Sequence, residues 1–154
     1  MSKENRVEKI LWSIALPGFG QLLNGRFLKG LLLIVLEILI NVQSNLNNSI
    51  IYSFQGEIQL AIDQTNYQWL MFYPCLYMFS IWDAYREAEG ETSPYSFIPF
   101  VFSAYFGTIG VIYSSSLMVF GVQFGPVFLP ILFLILGIGI GVLIKITLRH
   151  MKLR

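Results

Sequence analysis

Hydrophobic residues run through this chain in blocks that are long and rarely interrupted by charge. Four of them, at residues 27–46, 67–85, 97–120 and 127–148, come near or pass the ~20 residues a helix needs to cross a hydrocarbon core. Tyr67 and Trp69 at one end of the second block, with Trp82 and Tyr85 at the other, fit the aromatic belts of spanning helices. A fifth block, residues 10–23, is shorter and contains Pro17, Gly18 and Gly20. At ~1.5 Å per residue it reaches about 21 Å, against a core of ~30 Å, so a straight crossing is not expected. The pattern predicts an all-α integral membrane protein, one domain of four transmembrane helices preceded by a short re-entrant or interfacial helix at 10–23.

Between the first two blocks, residues 47–66 read as an external loop. Ile50, Ile51, Phe54, Ile58, Ala61 and Ile62 recur there at helical spacing against Ser53, Gln55, Glu57, Gln59 and Asp63. That stripe predicts an amphipathic helix on the outer leaflet or capping the bundle, with a disordered loop as the alternative. Residues 86–96 form a polar inner turn, with Gly90 as a helix stop and Pro94 as a restart. Residues 121–126 leave room only for a tight antiparallel hairpin of the last two helices.

Composition narrows the class. With 154 residues, 55% hydrophobic and 12% charged, the chain does not fit an ordinary soluble domain. Its ten Lys and Arg residues occupy four places: Lys3/Arg6/Lys9, Arg26/Lys29, Arg86, and Lys145/Arg149/Lys152/Arg154. With four crossings, all of them and both termini fall on the cytoplasmic side. If residues 10–23 crossed too, Lys3, Arg6 and Lys9 would lie outside, so the positive-inside rule favours four spans. The basic start and the apolar run after it lack a small-x-small cleavage site and are read as retained.

The stretch Pro17 to Gly30, PGFGQLLNGRFLKG, interrupts the apolar pattern. Pro17 lacks a backbone donor, Gly18 and Gly20 permit a sharp bend, and Asn24-Gly25 is a turn signal ahead of a helix starting near Arg26. Arg26 and Lys29 then oppose the macrodipole of that helix and need a counter-charge. One reading makes them positive-inside anchors; the other makes Gly25, Arg26 and Lys29 a site for an anionic phospholipid headgroup. The pattern P-G-x-G-Q-x-x-N-G-x-x-x-K-G, carried by Pro17, Gly18, Gly20, Gln21, Asn24, Gly25, Lys29 and Gly30, resembles that of small bacterial membrane proteins with a two-transmembrane-type domain. The resemblance covers residues 10–40. It implies a bacterial inner-membrane setting and a short segment turning at Asn-Gly into a longer helix, with no shared activity to carry over.

Glu37 falls near the middle of the first span, where a carboxylate should face protein or water. Asn41, Ser44, Asn45 and Asn48 follow at i+4, i+7, i+8 and i+11, one polar stripe if the helix is continuous. It is either the lining of a hydrated path or proton site, or a buried hydrogen bond from Glu37 to a hydroxyl such as Ser103, Thr108 or Ser114. Asp83 can pair with Arg86, and Arg86 with Glu89, as an interfacial anchor or a docking patch. Gly107, Gly110, Gly137 and Gly141 permit close helix approach, within the bundle or at an oligomer or partner seam.

Catalytic chemistry finds no support. His150 is the lone histidine and Cys75 the lone cysteine, so a His or thiolate metal cluster is not expected. No P-loop or G-x-G-x-x-G occurs, no cofactor is implied, and a nucleic-acid-binding basic surface is absent. The expectation is a non-enzymatic accessory or scaffold subunit that meets lipid and a membrane-protein partner or its own copies. The rivals are a transporter or channel subunit working through Glu37 and the Asn stripe, and phospholipid handling at Arg26 and Lys29.

Overall fold

A computed structural model of the protein describes residues 3–88 and 94–152. Two helices open the chain, α1 (Lys3–Ala15) and α2 (Phe19–Leu23), followed by α3 (Phe27–Ser44), α4 (Leu46–Phe54), α5 (Ile58–Gln64) and α6 (Tyr67–Leu70). Then come α7 (Tyr73–Glu87), α8 (Ile98–Tyr113), a hairpin of two-residue strands, β1 (Met118–Val119) and β2 (Val122–Gln123), and α9 (Gly125–Lys152). Two of these, α3 and α9, are long and apolar enough to cross a membrane.

The other boundaries differ from the hydropathy blocks for local reasons. The first block ends at Ser44, because Asn45 takes a left-handed conformation with φ 59°, one that Asn tolerates better than other side-chain-bearing residues. The 67–85 block divides at Met71 and Phe72, and Pro74 sits in the first turn of α7. Block 97–120 stops as helix at Tyr113. There Ser114 Oγ donates to the Val111 carbonyl at 2.8 Å, the local competition that makes serine a poor helix continuer. Phe120 and Gly121, both at positive φ (53° and 78°), make the tight turn between β1 and β2. At 15 and 16 residues, α7 and α8 each reach about 23 Å.

Residues 47–66 form two helices rather than one, separated by Gly56 at φ 82°. Their buried side carries Leu46, Ser49, Ser53 and Ala61, whereas Ile51 and Phe54 of the expected apolar stripe are exposed. They pack over the start of α9, with Phe54 edge-on to Phe128 at 5.2 Å. Gly90 and Glu89 lie outside the described residues.

Polar side chains share the interior with apolar ones such as Leu70, Val111 and Leu129, and much of the exterior is apolar. Ser13, Gln21, Ser44, Ser49, Ser80, Asp83, Ser103 and Ser114 are almost fully enclosed, while Leu28, Leu31, Val35, Ile38 and Val42 of α3 and Ile135, Leu143 and Ile146 of α9 face outward. In water each such side chain would forgo ~25 cal/mol per Å² of apolar area. In hydrocarbon it forgoes little, and helices associate instead through close backbone approach and buried hydrogen bonds.

The α8–α9 hairpin is built that way. A Cβ on Gly141 would lie 2.5 Å from Pro99 Cα, one on Gly137 2.6 Å from the Phe102 carbonyl oxygen, and one on Gly110 2.8 Å from Pro130 Cα. Gly107 faces Leu134 and Pro74, so all four glycines line contacts within the chain, whereas Gly139 faces open space. Gly141→Ala should therefore lower stability by about 1–3 kcal/mol, and Gly139→Ala should leave it unchanged or raise it slightly. Thermal unfolding in detergent reads both.

Candidate functional site

Among the described residues, the interrupted stretch and the last two turns of α7 meet in a concentrated polar contact. On α7, Ser80, Asp83, Ala84 and Glu87 recur at helical spacing and share one face. Against that face lie α2 and the first turn of α3. Gln21, fully buried, donates from Nε2 to the Ser80 carbonyl at 2.8 Å and to Asp83 Oδ2 at 3.1 Å. One turn further, Asn24 Nδ2 donates to the Ala84 carbonyl at 3.0 Å. The Gly18 backbone N–H donates to Ser80 Oγ at 3.1 Å.

Charge follows the same ladder. Lys29 Nζ reaches both Asp83 oxygens, at 3.0 and 3.1 Å, and Glu87 Oε1 at 2.7 Å. Arg26 Nε meets Glu87 Oε2 at 3.3 Å. Two cations at the start of α3 and two carboxylates in the last turns of α7 are each unfavourable toward their own helix dipole. Brought together, each supplies the other's missing counter-charge. The compensation that Arg26 and Lys29 require thus comes from inside the chain, across 54 residues of sequence for the Lys29–Asp83 pair.

The glycines set the approach that makes this ladder possible. Gly18 has φ 104°, and a Cβ there would lie 2.5 Å from the Gly30 carbonyl oxygen. At Gly20 a Cβ would strike Ser13 Oγ and come within 2.6 Å of the Lys9 carbonyl oxygen and 2.7 Å of Ala84 Cβ. Gly20 is where α1, α2 and α7 meet. Gly25, at φ 74°, faces open space and serves the turn; Pro17 is buried. Helix α1 is fastened to α7 at both ends, by Arg6 Nη2 on the Ala88 carbonyl at 3.4 Å and by Tyr77 Oη on the Ile14 carbonyl at 2.5 Å.

Comparison with protein-family models, with curated proteins and with solved structures finds no match.

The polar stripe of α3 is not one surface. Glu37 and Ser44 are buried and Asn41 is half-buried, but the left-handed Asn45 ends the helical phase and Asn48 lies exposed on α4. The asparagines pair locally: Asn41 Nδ2 with Asn47 Oδ1 at 3.2 Å, Asn48 Nδ2 with Asn45 Oδ1 at 2.8 Å, and Asn45 Nδ2 with the Gln64 carbonyl at 3.1 Å. They stitch the α3–α4 break to α5. The hydroxyls considered for Glu37 bond elsewhere: Ser103 to the Leu134 carbonyl, Thr108 to the Ala104 carbonyl, Ser114 to the Val111 carbonyl. Glu37 makes no hydrogen bond among the described residues.

Sequence reasoning paired Asp83 with Arg86, and that contact is present, the longest of the four ion pairs among the described residues at 3.7 Å. It missed Asp83 and Glu87 as partners of the motif. The available signal was electrostatic: both carboxylates stand at the wrong end of their helix, as both cations do at theirs.

Proposed function

We propose that the protein is a non-enzymatic accessory or scaffold subunit of the bacterial cytoplasmic membrane that docks a membrane-protein partner. It crosses four times with both termini inside, through α3, the α6–α7 pair, α8 and α9. The distribution of the ten basic residues supports that topology, and the resemblance of residues 10–40 supports the bacterial setting. The observation that carries the functional reading is the use made of the motif. Gln21, Asn24, Arg26 and Lys29 are all engaged by α7, and the outward faces of α1, α3 and α9 are apolar. Such a molecule offers lipid and helix contact rather than a reaction centre.

Native mass spectrometry after gentle extraction from the native membrane tests this. A stoichiometric foreign subunit is the expected result; a closed homo-oligomer or a bare monomer would overturn it.

A second reading rests on Glu37, more than nine-tenths buried and without a hydrogen-bond partner among the described residues. A carboxyl in that setting suits proton or cation passage in an oligomer. Under this reading Glu37→Gln abolishes flux in reconstituted vesicles while the fold persists, and unchanged flux removes it.

A further inference from the structure

We infer that the lateral groove between α7 and α8 seats a chain of an anionic membrane lipid, whose headgroup is held by Arg86. The groove encloses about 620 Å³ between Met78, Phe79 and Trp82 on one wall and Phe97, Val101 and Tyr105 on the other, a volume typical of small-molecule sites. Its lining is almost wholly carbon, so it excludes a hydrated group and accepts hydrocarbon.

One end is different. Trp82 lies toward the inner end of the groove, and the Arg86 guanidinium, one turn further along α7, sits over the Trp82 ring at 4.7 Å. That guanidinium has the weakest counter-charge of its cluster among the described residues. Among the described residues of this cluster, Arg26, Lys29 and Arg86 face two carboxylates, Asp83 and Glu87. Lys29 takes both oxygens of Asp83 and one of Glu87, and Arg26 takes the other. Arg86 is left with a 3.7 Å approach to an Asp83 oxygen that Lys29 already holds, and its side chain is half exposed. Among the described residues, Arg86 is thus the cation of this cluster with the weakest carboxylate contact, and it stacks on Trp82, a wall of the apolar groove.

A guanidinium held over an aromatic ring can still present N–H groups to a phosphate, which guanidinium groups bind bidentately. Basic sites between helices on the cytoplasmic side are suited to anionic headgroups. A neutral lipid or an apolar partner helix would fill the groove without offering an anion to Arg86. This site is separate from Arg26 and Lys29, whose charges α7 meets.

The test uses Trp82 as reporter, in a full-length protein carrying Trp12→Phe and Trp69→Phe. It is reconstituted in phosphatidylcholine bilayers containing equal fractions of brominated-chain phosphatidylglycerol or brominated-chain phosphatidylcholine. The phosphatidylglycerol should quench Trp82 with about fivefold higher apparent affinity, and Arg86→Gln should bring the two lipids level. Ala104→Phe, which fills the groove, should weaken quenching by both while circular dichroism stays unchanged. Equal quenching in the parent protein, a preference that survives Arg86→Gln, or quenching indifferent to Ala104→Phe would each overturn the inference.

Discussion

Asp83→Asn is expected to destabilise the protein by about 2–3 kcal/mol, at or just below the low end of what loss of one partner from a buried ion pair costs. Asp83 is 1% exposed, accepts from Lys29 and Gln21, and lies 3.7 Å from the Arg86 guanidinium. The amide keeps the shape of the carboxylate and an acceptor for Gln21, so the change isolates its charge. Lys29 retains Glu87 and is 35% exposed, and solvent screening holds the penalty below the upper range. Lys29→Gln should cost more, because it leaves the buried Asp83 carboxylate with only the Gln21 amide and the 3.7 Å approach of Arg86. Thermal unfolding in detergent, followed at α7 by the Trp82 signal, orders the two variants. An equal or reversed order would mean that Asp83 is not the buried centre of the clasp.

Gly20→Val is expected to have the larger effect, about 3 kcal/mol or more, at the top of the range for overpacking. Flexible side chains can move aside, but the Lys9 carbonyl within 2.6 Å of the added Cβ belongs to helical backbone. Relief requires α1 to leave α7, and that also breaks the Arg6–Ala88 and Tyr77–Ile14 bonds. Gly25→Ala is the contrasting case. Its Cβ meets nothing within 4 Å, so the cost reduces to the left-handed backbone, about 1 kcal/mol. Protease protection of residues 3–15, read alongside unfolding, separates detachment of α1 from general loss of fold.

These two variants mark what the sequence makes legible. Bends at Pro17-Gly18 and Asn24-Gly25 follow from local backbone chemistry, which a linear reading captures. Helix ends at Ser44 and Tyr113 escape hydropathy because they depend on one left-handed Asn45 and on serines that bond back to their own turn. The need for a counter-charge at Lys29 is visible in the sequence, but its source is not, since Asp83 reaches it only after α2, α3 and α7 have packed. The glycine seam is legible as small residues; that α8 and α9 close it within one chain is a matter of tertiary pairing. Glu37 shows the opposite case: its burial follows from depth, yet the asparagines after it turn away to close a helix break.

The central claim is that the Pro17–Gly30 motif is a clasp whose counter-charge is Asp83. Solid-state NMR of the protein in lipid bilayers tests it most directly, by measuring dipolar dephasing between Lys29 Nζ and Asp83 Cγ. A direct ion pair predicts strong dephasing at a separation of about 3.5–4 Å, consistent with the 3.0 Å Nζ–Oδ1 contact. No dephasing between these atoms would contradict the clasp and return Lys29 to the membrane surface as a lipid-facing cation.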